Sequence, residues 1–128
     1  MFLLQHVLIV HDELINQYGG SLGVRDLDSL QSALNRPFQY FGDIELYPTP
    51  QTKAAALIQS LILNHPFVDG NKRIGYYLSK ALLLHYGFEI TASEDDKYDF
   101  VVVIAEGKLE IEEITNWFTT NSKAFDLT

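Results

Sequence analysis

The sequence predicts an all-α fold, a single domain of about six helices over residues 1–128. Apolar residues recur at three- and four-residue spacing through most of the long segments. Helix-start and helix-stop residues bracket those segments. The one strongly β-branched run, FVVVIA, has no neighbouring segment with which it could pair as a strand. The length suits one domain, since single domains commonly run to about 100–150 residues, and no repeat, low-complexity tract or Ser/Gly linker divides the chain.

Residues 3–18 place Leu4, Val7, Leu8, His11, Ile15 and Tyr18 on one helical face, and Gly19 and Gly20 end that helix. SLGVRD then forms a loop. Asp26 caps a helix carrying Leu27, Leu30 and Leu34 as far as Pro37. FQYFGDIELYPTP is an aromatic loop without clear periodicity. Thr49 as N-cap and Pro50 at the first helical position open a strong helix. Its stripe of Ala54, Leu57, Ile58, Leu61 and Ile62 stops just before His65-Pro66. Ile74, Leu78, Ala81, Leu82 and His85 repeat with helical period until Gly87, and residues 88–92 are briefly extended. Ser93 with Asp96 resembles a capping arrangement and opens a helix over residues 94–106. FVVVIA is apolar nearly all round, which predicts a central, buried helix, with Tyr98, Val101, Val102 and Ala105 at helical spacing. Ile111, Ile114, Trp117 and Phe118 share one side of the last helix.

An apolar content of 47% with 20% charged residues permits a real core. There are no cysteines, which excludes disulfides, thiolate metal sites and cysteine nucleophiles and fits a reducing compartment. MFLLQHVLIV lacks a basic start and a small-residue cleavage site, so it does not read as a signal peptide. No apolar run approaches the roughly 18–20 residues that span a bilayer, so the expected location is the cytoplasm and no membrane partner is expected. Nine Lys and Arg against 17 Asp and Glu give a formal charge of −8. Direct nucleic-acid binding relies on clustered cations and is not expected. The acidic excess keeps the chain soluble; a basic protein partner is the other reading.

The densest polar chemistry is HPFVDGNKR, residues 65–73, between two helices. With Asn71 as N-cap, the backbone N–H groups of Lys72, Arg73 and Ile74 are unpaired donors at a helix start, and with the helix dipole they form an anion site. Gly70 permits a tight turn and close approach of a phosphate. Lys72 and Arg73 add positive charge. His65 is the side chain whose ordinary pKa suits proton abstraction near neutrality. Asp69 offers a hard oxygen for Mg²⁺, which is commonly held by one carboxylate plus nucleotide phosphates. Phe67 points inward and anchors the loop. These are the parts of phosphoryl or nucleotidyl transfer. A decorated turn is the competing reading, because Asp-Gly and a capping Asn are ordinary turn residues. Lys and Arg at a helix start oppose the dipole, and that local cost favours function.

The stretch resembles the signature of the Fic/Doc superfamily, H-x-F-x-[DE]-[GA]-N-[GK]-R, through His65, Phe67, Asp69, Gly70, Asn71, Lys72 and Arg73. HDELINQYGGSLGVRD, LQSALNRP, YPTPQTKAAAL and FVVVIAEGKLEIEEITNWF are similar to death-on-curing (Doc) type proteins, so the resemblance covers nearly the whole chain. AMP-transferring Fic enzymes read G-N-G-R with a second arginine three residues on. Lys72 and Tyr76 stand at those positions here and point to the Doc branch, while Ile74 and Gly75 replace its usual Thr-Ala. The resemblance implies a Fic/Doc-like helical fold and a toxin that transfers the γ-phosphate of ATP to a hydroxyl of a protein. Translation elongation factor Tu is the target type and a small antitoxin the partner. It implies His65 as base, Asp69 as Mg²⁺ ligand, Asn71 and Arg73 as phosphate ligands, and Gly70 and Lys72 as shapers of the anion hole. AMP transfer and a catalytically silent binding module are the alternatives. Some Fic enzymes carry an inhibitory [ST]-x-x-x-E-[GN] helix; Val102 occupies the Ser/Thr position before Glu106-Gly107, so no built-in inhibitor is expected.

His11 lies on an apolar stripe and reads as a satisfied core histidine, His6 and His85 as structural. Arg25 and Asp26 read as a surface charge and a helix cap, although they could reach the mouth of the site.

Overall fold

The computed structural model describes residues 1–125. Its centre is one helix, α3 (Pro50–Leu63), preceded in the chain by α1 (Leu4–Tyr18) and α2 (Leu27–Asn35). Helix α3 starts where the sequence says it should. Thr49 Oγ1 accepts from the Thr52 N–H at 3.1 Å, Thr52 Oγ1 accepts from the Thr49 N–H at 3.0 Å, and Pro50 occupies the first turn. Ala54, Ala55, Ala56, Leu57 and Ile58 are wholly buried, with Leu61 and Ile62. Three consecutive alanines let neighbours approach this helix from several sides, which is why it takes the centre.

Helix α4 (Asn71–His85) packs along α3. Gly75 sits at the crossing, where an added Cβ would come within 3.2 Å of Ile62 Cγ1. Helices α5 (Glu94–Ala105) and α6 (Ile111–Thr120) close another side of α3. The expectation that α5 would be the central buried helix is not met. Only its Phe100 and Ile104 are buried, the three valines are half-buried, and Tyr98 and Ala105 are exposed. Phe100 stacks on Trp117 at 3.8 Å and meets Phe118 edge-on, so α5 lies at the periphery and reaches the core through one face.

The domain is helical but not strictly all-α. Two small antiparallel sheets are present. The aromatic loop holds a hairpin, β1 (Tyr40–Phe41) with β2 (Ile44–Glu45), turning at Gly42 with φ of 60°. Lys53, buried on α3, fastens its base by donating to the carbonyls of Tyr47 and Pro37. The extended stretch after Gly87 becomes β3 (Phe88–Ile90), which pairs with β4 (Ser122–Ala124) in the register Phe88↔Ala124 and Ile90↔Ser122. No helix among the described residues is long and apolar enough to cross a membrane.

Candidate active site

The site is built where α3 ends and α4 begins. After Asn64 the chain must reverse within a few residues, and His65 takes a left-handed backbone conformation, φ 48°, uncommon for a residue with a side chain. The loop that follows is anchored underneath. Phe67 is 1% exposed, and its ring stacks on His11 with centroids 3.7 Å apart and an interplanar angle of 8°. His11, expected as a satisfied core histidine, is buried and donates from Nε2 to the Asp69 carbonyl at 2.8 Å. His6 and His85 are exposed on their helices.

Asn71 does not cap α4. Gly70, at φ 78°, is the N-cap, and the Ile74 N–H donates to its carbonyl at 2.9 Å. Asn71 occupies the first helical position, and its amide faces back into the loop, donating to Phe67 O at 2.9 Å and accepting from Phe67 N–H at 3.0 Å. The chain needs this clamp because Phe67's backbone groups are buried and require partners. Its consequence is a one-residue shift of the anion donors. The N–H groups of Asn71, Lys72 and Arg73, rather than those of Lys72 to Ile74, lack intrahelical acceptors.

Asp69 accepts from the Ser21 N–H at 3.1 Å and from the Gly70 N–H at 2.8 Å. These two bonds, Ser21's first, hold its carboxyl below the usual carboxylate range, and the nearby Arg73 charge adds to the effect. The group is therefore ionised at neutral pH. Arg73 lies with its guanidinium carbon 4.8 Å over the Tyr18 ring and donates to the Gly19 carbonyl at 3.3 Å. His65, Asp69, Gly70, Asn71, Lys72 and Arg73 all line one open cleft of about 370 Å³. Every site residue expected from the sequence is brought together there.

No group of three or more His, Cys, Asp or Glu able to hold a metal occurs among the described residues. A metal here would have Asp69 as its carboxylate ligand and would complete its shell with phosphate oxygens and water. That donor set fits Mg²⁺, which keeps several waters and takes one or two carboxylates with substrate phosphates.

Residues distant in sequence complete the site. Arg25, read from the sequence as a surface charge, donates from Nε to His65 O and from Nη2 to Asn64 O, each at 2.6 Å. Its backbone N–H and that of Asp26 both donate to Pro66 O, at 2.8 and 3.0 Å, and the Val68 N–H donates to Gly23 O at 3.0 Å. The loop between α1 and α2 thus lies strand-like against the site. Asp26 also caps α2 as expected, accepting from the Ser29 N–H at 3.1 Å. Gly20 is required where it stands: its φ is 118°, and a Cβ there would fall 2.7 Å from Asp69 Oδ2.

Because Phe67 ties the loop to the core, Phe67→Ala is expected to lower stability by about 3–5 kcal/mol. Urea denaturation would show the shift as a lower midpoint, and an unchanged midpoint would mean the ring contributes nothing to the anchor.

An imidazole and an ionised carboxylate thus stand at one cleft beside a helix start rich in unpaired donors and cations, an arrangement chemically able to receive an anion and to move a proton. A model of the Fic/DOC family matches residues 2–89, which contain this site, and the chain belongs to the Fic/DOC family. It is 41% identical over 78 residues to Toxin Doc of Mycolicibacterium smegmatis, covering 61% of this chain and 60% of that toxin. It is 36% identical over 53 residues to a Fido domain-containing protein of Dictyostelium discoideum, covering 39% of this chain and 37% of that protein. The matches therefore span under two thirds of either relative's length.

Proposed function

We propose that this chain is a Doc-type toxin that transfers the γ-phosphate of ATP to a Ser or Thr hydroxyl of a protein, with elongation factor Tu as the target and arrested translation as the result. The observation that carries the reading is the convergence of His65, Asp69 and the start of α4 on one cleft, with Lys72 in place of glycine. The triphosphate's terminal oxygens lie against the N–H groups of Asn71, Lys72 and Arg73, which are fixed in place before the reaction begins. His65 takes the proton of the acceptor hydroxyl as its oxygen bonds to phosphorus, and ADP leaves with the bridging oxygen. Arg73, held by Tyr18 and Gly19, orients the phosphates. Asp69 would hold Mg²⁺, which when bound neutralises phosphate charge. Asn71 contributes through its backbone, since its side chain is committed to Phe67.

The likeness to a toxin supports a small antitoxin as partner. Glu106 caps the end of α5 and pairs with Lys108 at 2.5 Å, and it does not line the cleft. The test is incubation with bacterial lysate and ATP labelled on either the α- or the γ-phosphate. Label arriving from the γ position alone is expected. Arrival from the α position alone would replace the kinase reading with AMP transfer, and arrival from neither would make the protein a binding module.

Lys72 decides between the branches. It is exposed at the second helical position, where its charge opposes the dipole by ~0.3–1 kcal/mol until an anion binds. Lys72→Gly is expected to weaken ATP binding and abolish γ-phosphate transfer. Thermal stability should change little, because glycine's own helix cost of ~1 kcal/mol offsets the relieved repulsion. Wild-type rates in this variant would make Lys72 a surface cation.

A further inference from the structure

Gly70 gives the cradle room for a phosphate, and the same lack of a Cβ leaves the peptide joining Asp69 to Gly70 free to turn over. The N–H and C=O of a peptide point in opposite directions across a rigid plane. Here the N–H end faces outward and donates to Oδ1 of the exposed Asp69 at 2.8 Å. The C=O end faces inward and accepts from Nε2 of His11 at 2.8 Å. Turned over, this peptide would aim a carbonyl oxygen towards the anion. It would also withdraw one of the two N–H groups that hold the Asp69 carboxylate, leaving Ser21 alone. His11 meets the inward end from α1, 58 positions away. It is 1% exposed and stacked on Phe67, and its Nε2 stands 3.4 Å from where a Cβ on Gly70 would lie. Its Nδ1 is 3.9 Å from Asp12 Oδ1, beyond hydrogen-bond distance. The ring's one hydrogen bond among the described residues is therefore the bond to Asp69 O, and since a carbonyl only accepts, Nε2 carries the proton.

We propose that His11 is a positioning residue that locks the Asp69–Gly70 peptide with its carbonyl turned inward, so that the start of α4 stays open to a polyphosphate and the Asp69 carboxylate keeps its aim. The inference rests on the phosphate reading proposed above. Packing beneath Phe67 asks only for a flat ring; the nitrogen at Nε2 is what the carbonyl requires. The lock also belongs where it stands, because Gly70 is the one residue of the loop whose backbone would permit the turn without a steric penalty. Hydrogen bonds to ionised groups change affinity by roughly ten-fold or more, so a carbonyl presented to the anion in place of a donor should cost at least that factor.

The test measures binding of inorganic tripolyphosphate with Mg²⁺ by calorimetry on the parent, His11→Phe and His11→Gln. Phenylalanine keeps a ring to stack on Phe67 and loses the donor; glutamine loses the ring and ends in an amide N–H at the same ε position. His11→Phe is expected to melt cooperatively yet bind tripolyphosphate roughly ten-fold or more weakly, and His11→Gln to recover most of that loss. In amide spectra of His11→Phe, the Gly70 signal should be doubled or displaced while that of Phe67 stays in place. A purely structural role predicts the opposite order, since the ring-keeping variant would then be the milder one. Parent-like affinity in folded His11→Phe, or equal losses in the two variants, overturns the inference and leaves the phosphate site standing. Should His11→Phe fail to melt cooperatively, His11→Gln decides: affinity close to that of the parent upholds the lock, and a loss of ten-fold or more overturns it. Failure of the parent to bind tripolyphosphate overturns the phosphate reading and this inference with it.

Discussion

His65→Ala is expected to slow phosphoryl transfer by about 10²–10⁴-fold, the usual cost of losing a general base, with ATP affinity and melting temperature nearly unchanged. The structure separates these effects. The imidazole is exposed and lines the cleft, and the described residues record no hydrogen bond to its side chain. The donors proposed to meet phosphate belong to the backbone of α4. Alanine tolerates φ of 48° poorly, so His65→Asn is the companion variant. Asparagine accepts the left-handed conformation readily yet has no basic nitrogen. Both variants losing transfer while binding ATP normally identifies the imidazole as the active element. Recovery of transfer in His65→Asn would assign the residue's importance to backbone shape alone.

The helices were legible in the sequence where their signals are local. Thr49 with Pro50, Asp26 with Ser29 and Ser93 with Asp96 cap as expected, because an N-cap is decided within four residues. The β3–β4 pair was not legible, since the partner of Phe88–Ile90 lies beyond α6 in a segment without alternation. Depth in the core was misread for α5 because burial depends on what packs around a helix. The short, flat alanine face of α3 drew neighbours that the bulkier valines of α5 did not. The candidate site was legible for a related reason: His65 and Asp69 to Arg73 are contiguous, so one motif carries them all. Its supports were not. The bonds from His11 to Asp69 and from Ser21 to Asp69 bridge 58 and 48 positions, and the Arg25–His65 bond bridges 40. No periodicity reports such contacts. Asn71 shows a subtler limit. Its suitability as a cap was plain, but the buried backbone of Phe67 claimed its side chain and moved the cap to Gly70.

Arg25→Ala is expected to lower kcat by about 10²-fold, since misplacing a reacting group by ~1 Å costs about that much. His65 sits in an unfavourable backbone conformation and persists there only if its surroundings hold it. The planar guanidinium does so by donating to two successive carbonyls, Asn64 O and His65 O, at 2.6 Å each. Without it the backbone on either side of the base relaxes. The phosphate donors should stay in place, because Phe67, His11 and Asn71 fix the far half of the loop independently. ATP affinity is therefore expected to be unchanged, and the loss to appear in turnover. Arg25→Lys should fall between, because an ammonium is a point donor and cannot reproduce the fork. Free guanidinium added to Arg25→Ala at non-denaturing concentration should restore part of the rate, and guanidinium should give the parent no such gain. Equal losses of affinity and turnover, with no rescue, would make Arg25 a general support of the fold. Unchanged kcat in Arg25→Ala would show that the base finds its position without this residue.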